Sequence, residues 1–142
     1  MDDVLFNFSK AFYKARSSNP EQPYPQSQVD FFRKLEPLDG AIDGFRFLCA
    51  NFEAYILTAP SIYNPLCYME KRLCVEDHFG FEAVDKLIIS PRKDIFIGDY
   101  LIDDRIDTHR QGEFTGKLIR FGLHPFNDWS DIVAYFKHQH KL

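Results

Sequence analysis

The sequence predicts an α/β domain built on a mostly parallel sheet. Apolar runs too short for helices alternate with segments whose apolar residues recur at helical spacing. That alternation is typical of strands joined by helical crossovers. With 142 residues, 45% of them hydrophobic and 16% aromatic, the chain can form one domain with a packed core. We therefore expect residues 1–142 to form a single domain.

The helical segments are predicted from apolar spacing and from their end signals. The first covers residues 8–16 and ends at Pro20, and a short one covers residues 28–35. A third ends near Asn51, and a longer one over 64–79 is closed by Gly80. Asp128 or Ser130 can cap a final helix.

The strands are predicted at four short apolar runs. They cover residues 54–57, 87–89, 95–97 and 118–122. The third run stops at Gly98, where the backbone can turn or approach a ligand closely. These strands alternate with the helices, so we expect them to lie mostly parallel in one sheet.

Composition and charge exclude several classes of protein. The net charge of −4 and the pI of about 5.7 argue against a protein that coats nucleic acid. No apolar run approaches the roughly 20 residues of a membrane span, and two acids directly after Met1 argue against a signal peptide. The cysteines are expected to be reduced thiols of a cytoplasmic protein, since they are odd in number and lack metal-site spacing: Cys49, Cys67 and Cys74.

Polar residues of different kinds follow the predicted strands. Thr58 offers a hydroxyl, Lys93 a cation, and Asp99, Asp103 and Asp104 form a cluster of carboxylates. The carboxyl ends of parallel strands lie side by side at one edge of a sheet. A hydroxyl, an ammonium and carboxylates that need a cation together suit a phosphate group and Mg²⁺. The carboxylates alone could equally belong to an acidic loop that caps the next element.

The ordered set of these residues resembles the haloacid dehalogenase superfamily of phosphotransferases. Within it, the 5′(3′)-deoxyribonucleotidases are the most similar family. Four segments carry the resemblance: Met1-Asp2-Asp3-Val4-Leu5 with Phe8, Leu35-Glu36-Pro37-Leu38-Asp39-Gly40-Ala41, Thr58-Ala59-Pro60 with the Glu70-Lys71 helix behind it, and Arg92-Lys93-Asp94 with Gly98-Asp99-Tyr100-Leu101-Ile102-Asp103-Asp104-Arg105. The resemblance implies a haloacid dehalogenase-like Rossmannoid three-layer sandwich. It also implies a short helical cap over about residues 9–36, inserted after the first motif.

The resemblance also implies roles for the residues that match the catalytic motifs. Asp2 matches the general acid and base, and its main-chain carbonyl matches a Mg²⁺ ligand. Thr58 matches the phosphate-binding hydroxyl. Lys93 matches the lysine that neutralises the nucleophile and the phosphoryl oxygens. Asp104 matches the side-chain ligand of Mg²⁺.

Three further residues match less central positions. Asp99 and Asp103 resemble the residues that support the metal ligand, and Phe8 resembles an aromatic residue of the nucleotide pocket. Two positions depart from the family pattern, since Asp3 stands where a small residue is usual and Ala59 replaces a serine. The cap is also much shorter than in animal members, so its specificity does not transfer.

The nucleophilic aspartate of the family would fall one residue before Met1. The apolar strand that precedes it, central in the family's sheet, would be absent too. We therefore expect the native protein to begin upstream. The chain as written is expected to be inactive or nearly so, and poorly stable because buried neighbours lose ladder partners and apolar cover.

Three functions remain open from the sequence. The first is a Mg²⁺-dependent phosphatase that removes phosphate from deoxyribonucleoside monophosphates through an aspartyl-phosphate in the full-length parent. The second is a phosphatase of another small phosphomonoester. The third is a non-catalytic remnant that binds a nucleotide or a partner. All three predict a small-molecule or protein partner rather than nucleic acid or a membrane, and a homodimer is possible.

Overall fold

The computed structural model describes residues 1–142 and contains four α-helices. They are α1 (Phe8–Ser18), α2 (Ala41–Asn51), α3 (Cys67–Phe79) and α4 (Trp129–His140). Asp128 caps α4, its carboxylate accepting from the N–H groups of Ser130 and Asp131. The predicted helices at these four places are confirmed. None of the helices is long and apolar enough to cross a membrane.

The predicted helix over residues 28–35 is wrong. A short 3₁₀ turn lies just before it (Pro25–Ser27), and residues 29–34 form turns, with Asp30 at a φ of 65°. The buried carboxylate of Glu70 on α3 explains the difference. It accepts from the main-chain N–H groups of Asp30 and Phe32, at 2.7 and 3.1 Å, and so binds this segment as a turn.

Four strands form two separate parallel pairs. β1 (Ile56–Thr58) pairs with β2 (Leu87–Ile89), and β3 (Tyr100–Asp103) pairs with β4 (Lys117–Arg120). The α/β class and the parallel pairing are therefore confirmed. The expected single sheet is instead two small sheets of two strands each.

The strand predicted at residues 95–97 is wrong. The strand begins at Tyr100, and Ile95 and Ile97 are 61% and 98% exposed. Pairing starts where Gly116 approaches the carbonyl of Gly98; a Cβ at Gly116 would lie 2.2 Å from that oxygen. Because only a glycine permits this approach, the ladder to β4 begins after the apolar run rather than within it.

An apolar cavity of about 810 Å³ lies between the two sheets. Its lining includes Ile56 and Leu57 of β1, Leu101 and Ile102 of β3, and Met1. β1 and β3 are thus the facing edges of the two pairs, and each pairs with only one neighbour. Elsewhere the core is continuous: Phe6, Phe32, Leu35, Ile119 and Ile132 are all at most 1% exposed.

Candidate active site

A second cavity, of about 380 Å³, lies at the carboxyl ends of β1 and β3. Six of the seven residues predicted for the site line it: Asp2, Phe8, Thr58, Lys93, Asp103 and Asp104. Asp99 does not. It is exposed at the opposite end of β3, where its main-chain carbonyl accepts from Lys117 N–H and its side chain has no part in the cluster. The structure therefore corrects the placement of Asp99 beside the other carboxylates.

Lys71 belongs to the helix that the sequence places behind Thr58, but the sequence motifs gave it no role in the site. It is fully buried on α3, and its ammonium donates to Asp2 Oδ2 and Thr58 Oγ1, both at 2.8 Å, and to the carbonyl of Ala59 at 2.5 Å. It follows Cys67 by four residues and precedes Cys74 by three, so it lies in the buried stripe of α3. A lysine in the apolar stripe of a helix is the signal that could have identified it.

Lys93 and Asp103, which both line the cavity, form a second buried ion pair. Both side chains are at most 6% exposed, and Lys93 Nζ donates to Asp103 Oδ2. Burial acts to raise the pKa of Asp103, but the charge and hydrogen bond of Lys93 outweigh it and hold that pKa below its usual value. The other oxygen, Oδ1, accepts from Arg105 N–H at 3.0 Å and from Gln111 Nε2 at 3.1 Å. Both oxygens of Asp103 therefore already accept hydrogen bonds within the protein.

Asp104 has an environment that favours a bound cation. Burial raises its pKa, and the carboxylates of Asp103 and Asp3 raise it further. Its only side-chain partner is the exposed guanidinium of Arg105, at 3.1 Å. A divalent cation would relieve this repulsion.

The oxygen ligands available here fit a Mg²⁺ ion that keeps some of its waters better than a metal ion ligated only by protein side chains. No group of three or more His, Cys, Asp or Glu side chains is arranged to hold a metal ion. Mg²⁺ usually keeps several waters and takes one or two carboxylates together with a phosphate oxygen. Asp104 and the Asp2 segment line one cavity, as such a site requires.

The N-terminal segment holds Asp2 and Asp3 in a compact loop. The carbonyl of Met1 accepts from the N–H groups of Val4, Leu5 and Phe6. Asp3 has a φ of 51°, a region that favours glycine, which is a physical reason for a small residue at this position. Its carboxylate accepts from the N–H and the hydroxyl of Ser9, at 2.8 and 2.6 Å, and so ties the loop to the start of α1.

Two aromatic rings form part of the wall of the cavity. Phe8 and Phe32 line it and stack on each other with ring centroids 6.1 Å apart. The ammonium of Lys71 lies 4.9 Å from the centroid of Phe32. Gln26, from the 3₁₀ turn Pro25–Ser27, also lines the cavity. An apolar wall beside charged groups suits a small molecule with a flat apolar part and an anionic part.

Comparison with known proteins gives a consistent set of relatives. Residues 19–132 match the family described as 5′ nucleotidase, deoxy (Pyrimidine), cytosolic type C protein. A protein of Vibrio phage KVP40 with the name 5′(3′)-deoxyribonucleotidase is 40% identical over 143 residues, covering 99% of this chain and 84% of the phage protein. A Bordetella bronchiseptica protein of the same name is 43% identical over 110 residues. The mouse mitochondrial 5′(3′)-deoxyribonucleotidase is 30% identical over 115 residues.

The overlap with these relatives differs in length. The match covers 74% of this chain and 59% of the Bordetella protein, and 80% of this chain and 47% of the mouse protein. The chain therefore spans about half the length of those two relatives, and most of the phage protein.

Proposed function

Since the chain belongs to the family of cytosolic type C deoxy-5′-nucleotidases, a family of hydrolases, we propose that its site serves a Mg²⁺-dependent phosphatase acting on deoxyribonucleoside monophosphates. The observation that carries the proposal is the convergence of Asp2, Thr58, Lys93 and Asp104 on one cavity beside an aromatic wall. The relatives' names support the deoxyribonucleotide as substrate class.

A lysine and a hydroxyl group bind the phosphate in this proposal. We assign the phosphate oxygens to Lys93 and to the hydroxyl of Thr58, which lines the cavity and is fixed by Lys71. Lys93 neutralises charge that develops on the transferring phosphoryl group. Phe8 and Phe32 pack against the nucleoside, which excludes water from one side of the reaction.

Asp2 exchanges the proton in this proposal. Its Oδ2 accepts from Lys71, whereas its Oδ1 is buried and has no hydrogen-bond partner. A buried oxygen without a partner is rare in proteins and is often tied to function. We assign Oδ1 to protonating the leaving sugar oxygen and then to taking a proton from water.

Mg²⁺ would be held by the side chain of Asp104 and the main-chain carbonyl of Asp2. When bound, it would withdraw electron density from a phosphoryl oxygen. Asp103 would support this arrangement by holding Lys93, with which it pairs, rather than by binding the metal itself.

The aspartyl-phosphate route needs a carboxylate that reaches phosphorus. The test therefore compares the 142-residue chain with a version that carries an added aspartate. Binding of dUMP with Mg²⁺ is measured by calorimetry, and hydrolysis is measured on dUMP, dTMP and sugar phosphates. Both are measured on the 142-residue chain and on a version preceded by a short apolar strand ending in Asp. We expect both forms to bind dUMP and the extended form to hydrolyse it.

The outcomes separate the candidate functions. Equal hydrolysis of sugar phosphates and nucleotides would replace the nucleotide assignment with a general phosphomonoesterase. Binding without hydrolysis in both forms would favour a nucleotide-binding protein. The absence of dUMP binding in both forms would contradict the proposal. Two secondary proposals are a cytoplasmic location, for which a human relative named as the cytosolic type gives support, and a homodimer, which sedimentation can test.

A further inference from the structure

Gln111 is a buried polar residue that the proposed reaction does not use. It begins the 3₁₀ turn Gln111–Glu113, is 1% exposed, and reaches the cavity from the loop that follows β3. Its carboxamide donates from Nε2 to Asp103 Oδ1 at 3.1 Å and to Thr108 Oγ1 at 3.3 Å. Its Oε1 accepts from His109 N–H at 2.9 Å. A buried carboxamide that uses both of its ends is fixed in orientation.

These contacts belong to a closed ring of hydrogen bonds. Gln111 binds Asp103 and the N–H of His109, and the carbonyl of His109 accepts from Lys93 N–H at 3.1 Å. The ammonium of Lys93 returns to Asp103 through Oδ2. The main chain of Lys93 is therefore linked to the Gln111 carboxamide through His109. The side chain of Lys93 is linked to the same carboxamide through Asp103.

We propose that Gln111 is a positioning residue that fixes the ammonium of Lys93 through Asp103. A lysine side chain has a flexible four-carbon stem, so a single ion pair leaves its ammonium considerable freedom. Asp103 can hold it in one place only if the carboxylate itself cannot rotate. Gln111 and the N–H of Arg105 prevent that rotation by both binding Oδ1, which leaves Oδ2 directed at Lys93.

The proposal differs from a purely structural role in what it predicts for Lys93. If Gln111 only stabilised its loop, the ammonium of Lys93 would stay ordered in any Gln111 variant whose loop remains folded. A positioning carboxamide makes the order of the ammonium depend on the bond to Asp103. The proposal relies on the proposed function only where it assigns a phosphate to Lys93.

The first experiment measures the ammonium of Lys93 without any ligand. Buried, ion-paired ammonium groups exchange slowly enough to give a ¹⁵N–¹H signal, and Lys93→Met identifies which signal belongs to Lys93. In Gln111→Met, which keeps the volume, we expect that signal to broaden or vanish while the main-chain amide spectrum stays folded. Thr108→Val is the matched control, because it removes one partner of Gln111 and leaves the bond to Asp103 intact.

A second variant protects the test against misfolding. Gln111→Glu keeps the length and the acceptor for His109 N–H, but it places an oxygen where a donor faced Asp103. We expect it also to disturb the Lys93 signal. A sharp, unshifted Lys93 signal in either folded variant would overturn the proposal. Equal loss of the signal in Thr108→Val would assign the effect to the loop as a whole and would overturn it too.

Ligand binding extends the test to the proposed function. Gln111→Met should weaken dUMP binding by about five- to tenfold, in line with one misplaced charged contact. In a Lys93→Met background the same change should cost less than about twofold, since the group it positions is gone. Equal weakening in both backgrounds would overturn the inference. The absence of dUMP binding in both the 142-residue chain and the extended form would contradict the proposed function, while the spectroscopic result would still decide the role of Gln111.

Discussion

The ammonium of Lys71 donates to Asp2 Oδ2 at 2.8 Å and joins α3 to a loop that has no regular secondary structure of its own. The same ammonium binds Thr58 at the end of β1. One buried cation on the helix thus sets the separation of the Asp2 carboxylate, to which we assign proton exchange, and the Thr58 hydroxyl, to which we assign phosphate binding. Precise placement of this kind is what a site on a short loop requires.

Replacing Lys71 with methionine should destabilise the protein and disable the site. The change leaves Asp2, whose other oxygen already lacks a partner, next to an apolar side chain. Breaking a buried pair by removing one partner costs about 3–5 kcal/mol, and the partial exposure of Asp2 (29%) reduces this to about 2–3 kcal/mol. Urea unfolding measures the change.

The control for Lys71 is Lys10→Met. Lys10 also pairs with a carboxylate, that of Glu36 at 3.1 Å, but both side chains are mostly exposed. Exposed pairs contribute about 1 kcal/mol or less. If the two variants lose similar stability, the buried ammonium has no special role.

The ion pair of Asp103 with Lys93 should make the free energy of unfolding decrease at acidic pH. Its pKa is lowered in the folded protein, so its contribution is present above the usual value of 3.8 and is lost as the pH falls through the lowered pKa. Free energies of unfolding measured from pH 7 down to pH 2 should decrease most steeply below about pH 4.

Asp103→Asn isolates this contribution. It should be less stable at pH 7 because the buried ammonium of Lys93 loses its counter-charge, and its stability should decrease less between pH 4 and pH 2. Asp43→Asn, which removes an exposed carboxylate in the first turn of α2, is the control for loss of an acid group that has no buried ion pair. An acid dependence as steep in Asp103→Asn as in the unaltered chain would contradict the assignment.

Much of the fold could be predicted from local patterns because those patterns agree with the packing. Asp128 caps α4 as expected, and the runs at residues 54–57 and 87–89 overlap the parallel pair of β1 and β2. The strand prediction at residues 95–97 was wrong because a strand needs a neighbouring strand to pair with. Gly116 and Lys117 provide that partner only from Asp99 onward.

Sequence motifs predicted which residues line the cavity, but they did not predict the contacts that depend on burial. Thr58, Lys93 and Asp104 lie together as their strand ends imply. Lys71, Glu70 and Gln111 act through contacts with residues that are distant along the chain or held by turns, and periodicity alone does not reveal such contacts. Asp99 was misplaced because it lies one residue before β3 rather than after it.

Gly44→Ala should destabilise the contact between α2 and α4. A Cβ at Gly44 would lie 2.3 Å from Trp129 Cε3. Trp129 cannot move away easily, because it is 3% exposed and its Nε1 donates to the carbonyl of Val4 at 2.7 Å. Overpacking of this kind costs about 1–3 kcal/mol despite the better helix propensity of alanine.

The control for Gly44 is Arg46→Ala, an exposed position on the same helix. Thermal unfolding of both variants and of the unaltered chain separates the clash from propensity. Only Gly44→Ala should lower the Tm clearly. An unchanged Tm in that variant would mean that the two helices can separate without cost.

Filling the cavity between β1 and β3 should stabilise the protein. An added strand of about five apolar residues before Met1 would cover the apolar lining and pair with two free strand edges. Burial of about 2 kcal/mol per side chain, less the ordering cost of about 1.5 kcal/mol per residue, leaves a gain of a few kcal/mol. We expect the Tm to rise by about 5–15 °C. A matched extension of alternating serine and asparagine should give no gain.

Two substitutions in the extended version test the site assignments directly. Asp104→Ala should abolish Mg²⁺-dependent turnover of dUMP, because it removes the carboxylate that burial and its neighbours poise for a cation. Lys93→Ala should lower kcat by about 10²–10³, the usual effect of losing one group that stabilises developing charge. Asp99→Ala is the matched control, since Asp99 does not line the second cavity, at the carboxyl ends of β1 and β3, and it should leave kcat within about twofold. Near-normal rates in Asp104→Ala or Lys93→Ala, or a large loss in Asp99→Ala, would contradict the placement of the site at the carboxyl ends of β1 and β3.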